Sequence, residues 1–570
     1  MATGLDAVIR KYAVKNAIDY GKASPGSVLG RVLGSHPEAK ADMKALNSAI
    51  ARTIEEVNKL DRAALEAEYS EHQEEFDKLE KKKADESVPK FVLEGAVKGD
   101  FATRYAPAPN GYMHLGHAKA ALMASEFARI YDGKIFLYFD DTNPEKDRQE
   151  YVDAMKRDLA WLGIKFDHEY YASDNVEKVY DATRELIAKG RAYVCECEAE
   201  GMSKDRYEGR ECEHRSRSAK ENEELFARML NHKIEEGGAI VRFKGDMASQ
   251  NTAMRDPTIL RIKNDAHYRQ GTKYSVWPTY DINTPIMDSL HGVTDVIRSK
   301  EFELRDELAA AILDAMGMRR PRIHSESRLV IKNNVTHKRE LNKLIEENIL
   351  TGWDDPRLVT ISALRRRGIR PEAIREFVLR FGMSKTDSKV GIEMLLAENR
   401  KVVDATARRI YYVEDPVRLD IDGFEGRLVE LKLHPTADLG SRDYRVNGTV
   451  YVSKRDADAM KEGIQVRLKN LADVEITGRG KAISAKLSRG EQGGIVQWVP
   501  ADDHLECTIM VPENPLDDEG KLRSDSMKTS SGYVEGYAKT LKKGDVVQFE
   551  RFGFCVLDSE RPMRFIFISN

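Results

Sequence analysis

The sequence predicts an α/β protein built on a doubly wound parallel sheet, with a helical region before it and an all-β region after it, and three observations carry that prediction. Up to about residue 97, apolar residues recur at helical spacing. From Phe101 onward, short apolar runs alternate with helix-length amphipathic segments. Beyond about Arg408, short alternating segments follow one another with only Gly, Pro and Asp turns between them. At 570 residues the chain is too long for one core. The expected division is 1–97 helical, 98–330 α/β with an insertion at about 190–250, 331–410 connective and helical, and 411–570 β-barrel.

In the helical region, Leu5, Val8, Ile9, Tyr12 and Ala13 mark one helix, with Gly21 as its stop. Met43, Leu46, Ile50, Ile54 and Val57 mark a second. The run Glu80-Lys-Lys-Lys83 reads as a solvated helix end or linker. In the α/β region, residues 101–106 read as a strand. Residues 118–131 read as a helix with Ala118, Leu122 and Phe127 inward, and 135–139 as a continuous apolar strand. Tyr151, Val152, Met155, Leu159 and Leu162 then mark a helix ending at Gly163. Continuous apolar strands between such helices imply a parallel sheet covered on both faces, and such sheets bind ligands at the carboxyl ends of their strands. In the β region, Val429, Leu431 and Leu433 alternate with Glu430 and Lys432, and further strands are expected at 450–452, 495–499, 546–549 and 564–568.

Hydrophobic residues make up 41% and charged residues 33% of the chain, which excludes a disordered or membrane-spanning class. The longest apolar runs are strand-sized, far from the roughly 20 residues a bilayer requires. The first residues lack the basic and apolar stretches of a secretory signal, so a cytoplasmic protein is expected. A net charge of −4 means that any nucleic-acid contact must rest on local basic patches.

Chemistry concentrates directly after the first strand, in Arg104-Tyr-Ala-Pro-Ala-Pro-Asn-Gly-Tyr-Met-His114-Leu-Gly-His117. Pro107, Pro109 and Gly111 force a loop at the strand's end. His114 and His117 straddle Gly116 where a helix begins, so imidazole and backbone N–H donors can converge on phosphate, and Gly116 leaves room for a nucleotide. His-x-Gly-His alone is a weak signal; strand, Pro-Gly loop and helix together make it a strong one.

The cysteines offer a second site. Three of the 5 crowd together, and Cys195-x-Cys197 and Cys212-x-His214 form two pairs. Three soft sulfurs and an imidazole suit tetrahedral zinc, although the one-residue gap within each pair is tighter than usual. Cys507 and Cys555 read as small core residues.

The histidine segment resembles the signature of class I aminoacyl-tRNA synthetases, and its flanks resemble the branch that handles glutamate and glutamine. Further matches run in order: Phe139-Asp-Asp-Thr-Asn-Pro144, Met254-Arg-Asp-Pro257, Tyr280-Asp281, Gly352-Trp-Asp-Asp-Pro-Arg357, Leu364-Arg-Arg-Arg-Gly368 and Gln548-Phe-Glu-Arg551. The resemblance covers nearly everything from about residue 98 to the end. It implies a Rossmann-like catalytic domain that uses ATP with Mg2+ to activate glutamate and then acylates the 3′ end of tRNA. Catalysis would rest on positioning and charge stabilisation by His114, His117 and Lys338, with no covalent nucleophile.

In this family a mobile lysine loop closes over ATP. Gly382-Met-Ser-Lys-Thr386 is the better string match, but the loop is expected before Gly352-Trp353. That order points to Val335-Thr-His-Lys-Arg339 and prefers Lys338, with Arg339 beside it, over Lys385. Thr336 and His337 replace the usual residues there. The ATP set is then Pro107, Gly111, His114, Gly116, His117, Lys338 and Arg339. The amino-acid set implied by the resemblance is Arg104, Asp140, Tyr280 and Arg298. A guanidinium at Arg298 can meet a γ-carboxylate with two charge-assisted hydrogen bonds, whereas a glutamine amide presents a donor to it. Glutamate is therefore expected over glutamine. Zinc at Cys195, Cys197, Cys212 and His214 would stiffen the insertion that holds the tRNA acceptor end. Arg365, Arg366 and Arg367 are expected to grip tRNA phosphates. The β region resembles a two-barrel anticodon-binding part; Trp498 within it is expected to be buried rather than to stack a base.

Overall fold

The computed structural model describes residues 2–70, 91–489 and 493–570, and the charge run at 80–83 lies outside them. The chain divides into two compact units, Met1–Pro89 and Lys90–Asn570.

The first unit contains helices Ala2–Tyr20, Pro25–Ser35, Met43–Val57 and Arg62–Ser70. Their shared core is Ile9, Ala13, Val14, Val28, Val32, Leu46, Ile50, Ile54 and Val57, close to the spacing expected. Gly21 follows the first helix with φ +81°, and Asp42 caps the third by accepting the Ala45 N–H at 3.0 Å.

In the second unit, β1 (Ala102–Tyr105), β2 (Lys134–Phe139) and β3 (His168–Tyr171) form a parallel sheet in the order β1-β2-β3. Strands β8 (Asp295–Ser299) and β9 (Arg322–Glu326) pair in parallel beside β1. The link is Thr294, whose N–H donates to the Ala102 carbonyl at 2.8 Å while its hydroxyl accepts the Ala102 N–H at 2.8 Å. Both faces are covered, and β2 shows why its run is unbroken. Ile135, Leu137 and Phe139 enter the core under helix Leu115–Ile130, while Phe136 and Tyr138 enter cores on the other side. Ala118, Leu122 and Phe127 face inward from that helix as expected.

Between β3 and β8 lies a four-stranded antiparallel sheet, β4 (Ala192–Cys195), β5 (Ile240–Phe243), β6 (Thr258–Ile262) and β7 (Val276–Pro278). The inserted layer thus runs on past residue 250. Helices Lys338–Glu346, Ile361–Arg366, Pro371–Leu379 and Glu393–Asp404 follow.

Two seven-stranded sheets then complete the chain. In one, the edge strands are Arg408–Ile410 and Tyr412–Glu414, separated by Tyr411 alone. In the other, they are Gly494–Val496 and Val499–Pro500, separated by Gln497 and Trp498. When the first and last strands of a sheet belong to one short segment, the sheet must curl round to meet itself, so both are barrels. The expected single strand 495–499 is therefore two strands on opposite edges. Trp498, at the break, is fully buried and donates its indole N–H to the Lys469 carbonyl at 2.9 Å, and Cys507 and Cys555 lie in the core of the other barrel.

Candidate active site

The loop after β1 is pinned by backbone hydrogen bonds. The Asp140 N–H donates to the Pro107 carbonyl at 3.0 Å and the Arg148 N–H to the Pro109 carbonyl at 3.1 Å. Met113 and Leu115 exchange backbone hydrogen bonds with Ile361 and Val359, fixing where the helix starts.

His114 and His117 form a capping box at that start. The His114 Nδ1 accepts the Gly116 N–H at 3.0 Å, the His117 Nδ1 accepts the His114 N–H at 3.3 Å, and the rings stack 4.0 Å apart. Burial pushes His114 well below the ordinary imidazole range and His117 down to about 4. A neutral ring that accepts at Nδ1 carries its proton on Nε2, so the pair offers two uncharged Nε2–H donors. Gly116 has a second part besides bordering a cavity. A Cβ there would sit 2.8 Å from His114 Cε1, so this glycine makes room for the folded-back histidine ring.

Both histidines line two adjoining cavities. The larger, about 430 Å³, is bounded by Pro107, Gly116 and all four residues of the expected amino-acid set, Arg104, Asp140, Tyr280 and Arg298. The smaller, about 70 Å³, is bounded by Gly111 and Lys338. Lys338 lies with its Nζ 4.7 Å from the centre of the Tyr151 ring, and burial lowers its ammonium from the ordinary lysine value. Arg339 is exposed and lines neither cavity. Lys385 is exposed, with its Nζ 3.4 Å from Glu303, and lines neither cavity.

Polar partners of the residues that line the larger cavity refine the expected roles. Asp140 is pushed up to about 6 by burial; the Asn283 amide donates to it at 3.1 Å and the Thr142 hydroxyl at 3.5 Å. Arg104 is already paired, donating to both oxygens of buried Asp288 at 3.0 and 3.2 Å. Arg298 donates to the Tyr280 hydroxyl at 3.0 Å and pairs with Asp306. Asn283 and Asp288 were missed by sequence reasoning. They stand three and eight residues after Tyr280 on helix Tyr280–Leu290, which is the spacing of one helical face. The buried pair Lys119–Glu326, 3.3 Å apart, also borders the cavity and was likewise missed.

The cysteine cluster assembles. Cys195 Sγ lies 3.8 Å from Cys212 Sγ and 3.8 Å from His214 Nδ1, and Cys197 Sγ lies 3.3 Å from that nitrogen. A tetrahedron with metal–sulfur bonds of about 2.3 Å has edges of about 3.8 Å, so the set fits a zinc ion. The buried Arg242 donates toward the Cys195 and Cys212 sulfurs at 3.8 and 3.7 Å, a cation placed to offset thiolate charge.

The three arginines part company. Arg367 is buried and donates to the Ile568 and Pro512 carbonyls at 3.3 and 3.5 Å, so it joins the helical region to a barrel instead of facing a phosphate. Arg366 pairs with Asp558 at 2.9 Å and Arg365 with Asp158 at 3.6 Å. Both still line an open cavity of about 930 Å³ that also contains Lys543 and Arg564.

Comparison with known proteins matches three family models. "tRNA synthetases class I (E and Q), catalytic domain" covers residues 100–405, and the family's two "anti-codon binding domain" models cover 407–488 and 495–558. A curated relative from Nitrosopumilus maritimus, "Glutamate--tRNA ligase", is 41% identical over 98% of this chain and 98% of its own. Another of the same description, from Pyrococcus abyssi, is 39% identical over 97% of each. A solved structure of a glutamate-tRNA synthetase from Elizabethkingia anophelis is 19% identical, covers 54% of this chain and 71% of that one, and has a TM-score of 0.40. Among the described residues no helix is long and apolar enough to cross a membrane.

Proposed function

This chain belongs to the class I tRNA synthetases of the glutamate and glutamine group, and on that premise we propose that it joins glutamate to tRNA at the expense of ATP. Nearly full-length relatives described as glutamate–tRNA ligases support the activity. The observation that carries the choice of amino acid is the buried Arg298 guanidinium on the wall of the cavity that also contains Asp140. Aminoacylation of total tRNA with labelled glutamate or glutamine tests it: glutamate is incorporated, and incorporation of glutamine alone overturns the reading.

In the first step the glutamate α-carboxylate attacks the α-phosphorus of ATP and pyrophosphate leaves. In the second, a hydroxyl of the tRNA terminal ribose attacks the acyl carbon and AMP leaves. ATP enters with magnesium, which neutralises phosphate charge. The two Nε2–H groups of His114 and His117 face the phosphates as neutral donors, and Lys338 holds the departing pyrophosphate as a point charge. Asp140 holds the α-ammonium and Arg298 the γ-carboxylate.

This assignment sets a pH dependence. Asp140 titrates at about 6 in the folded chain and must be ionised to hold an ammonium. As the pH falls through that value the carboxylate takes up a proton, and KM for glutamate rises about tenfold for each further pH unit. Steady-state kinetics from pH 5 to 8 check this; a flat KM below pH 6 removes Asp140 from the ammonium site.

Cys195, Cys197, Cys212 and His214 would hold a zinc ion whose contribution is structural, cross-linking the base of the loop between the two ligand pairs. Elemental analysis is expected to give about one zinc per chain, and Cys212→Ser to lose it. Full zinc content in that variant rejects the site.

A further inference from the structure

A buried carboxylate that receives a cation needs its two oxygens told apart, and the fold does this at Asp140. Both protein donors go to one oxygen: the Asn283 amide reaches Oδ1 at 3.1 Å and the Thr142 hydroxyl reaches it at 3.5 Å. Among the described residues no hydrogen bond reaches Oδ2, although Asp140 lines the amino-acid cavity. Asn283, the nearer donor, is fully buried and lines neither cavity, so it meets the site only through Asp140. Tyr138 fixes which way its amide points. Tyr138 lies two residues before Asp140, and side chains two apart on an extended chain point the same way. Both face helix Tyr280–Leu290, whose Ile282 and Ile286 share a core with Tyr138. Asn283 stands on that helix between them, accepting from the Tyr138 hydroxyl at its Oδ1, 3.2 Å away, and donating to Asp140 from its Nδ2. A carboxylate only accepts, so the amide presents its nitrogen to Asp140 and its oxygen to the phenol. Burial holds the Tyr138 phenol well above its ordinary range, so it remains a donor. The three groups are satisfied in one order only.

The bond to Asp140 matters because the charges around that carboxylate are divided. Arg261 on β6 and Arg104 on β1 favour its ionised form, but Arg104 is already committed to Asp288 of helix Tyr280–Leu290. Asp141 and Asp147, in the loop after β2, oppose it. On the other walls of the cavity the two histidines are neutral, and Arg298 is shared with Asp306. Burial itself works against the charge. In that setting a hydrogen bond donated to the charged form carries weight, because it is lost as soon as the oxygen takes up a proton.

We propose that Asn283, oriented by Tyr138, is a positioning residue for amino-acid activation: it holds the Asp140 carboxylate through Oδ1 and leaves Oδ2 to receive the α-ammonium of glutamate. This rests on the reading that Asp140 holds the ammonium, and the test separates the two. Asn283→Leu alone strands the Tyr138 hydroxyl in a dry core. The double variant Tyr138→Phe/Asn283→Leu, which removes that donor together with its acceptor, is therefore made beside it. Aminoacylation is followed from pH 5 to 8.5 with glutamate varied. Loss of one hydrogen bond to the charged form raises the pH at which Asp140 takes up its proton by about one unit. In both variants KM for glutamate is then about tenfold above wild type near pH 5 and converges toward it by about pH 8. KM for ATP holds, because neither Asn283 nor Tyr138 lines a cavity where ATP is placed. A rise of equal size at every pH is a packing defect and overturns the proposal, as does a wild-type profile in the double variant. A wild-type KM that stays flat below pH 6 strikes the ammonium site itself, and the positioning role with it.

Discussion

Lys338→Ala lowers glutamate-dependent pyrophosphate exchange by about 10²- to 10³-fold, the cost of removing one donor from a developing anionic charge, while Lys385→Ala stays near wild type. Lys338 is the first residue of helix Lys338–Glu346, and Arg339 is the second. Basic residues in a first turn oppose the helix dipole and destabilise the helix, so a cation there is a poor structural choice. With the backbone N–H groups of the same turn, it makes a good anion site. Lys338 also borders the small cavity with His114 and His117, so ammonium and imidazole donors converge on one space. Lys385 has none of this: it is exposed, beside Glu303, and outside both cavities. Exchange assays on the two variants decide the matter. A wild-type rate in Lys338→Ala, or an equal loss in Lys385→Ala, transfers the role away from Lys338.

Arg298→Gln is expected to lower kcat/KM for glutamate activation by about 10³-fold, the sum of two charge-assisted hydrogen bonds, and to narrow or reverse the preference over glutamine. The guanidinium is 8% exposed, and its Nε–H has no partner among the described residues. Its bond to the Tyr280 hydroxyl fixes its orientation, and Asp306, which does not line the cavity, shares its charge. A γ-carboxylate completes that arrangement; a carboxamide puts N–H against N–H and leaves the cation underpaired. Competitive charging with both amino acids measures the change. Undiminished glutamate activation in Arg298→Gln would mean that Asp306, not the substrate, is the partner this arginine exists for.

Much of this was legible in the residues themselves. The unbroken run of β2 announces a strand covered on both sides, and the structure divides its residues between cores on the two faces of the sheet. The histidine loop announces itself because proline, glycine and a helix start leave few alternatives. The misreadings share one cause: they depend on the direction of a side chain, which a linear string does not carry. Arg365, Arg366 and Arg367 look equivalent in sequence, yet consecutive helical residues point about 100° apart. On this packed helix the one that turns inward is Arg367, at its C-terminal end. Gly116 borders the cavity, and its second constraint, a ring that folds back from two residues earlier, is not written in the string. Asn283 and Asp288 were recoverable, since their spacing from Tyr280 marks one helical face. The pairing of Arg104 with Asp288 was not, because the two are 184 residues apart along the chain.

The closure of the two barrels has a consequence for how they come apart. In an open sheet the outermost strand can peel off alone, exposing a ladder of unpaired amides to neighbouring chains. Here both seams of a sheet run through one segment, 408–414 in one barrel and 494–500 in the other. Lifting that segment unzips the sheet on both sides at once, and in the second barrel it also pulls Trp498 out of the core. Each barrel therefore has a keystone instead of a loose end. Gradual fraying gives way to a single cooperative opening, and the surface that would recruit other chains stays hidden until the whole barrel yields.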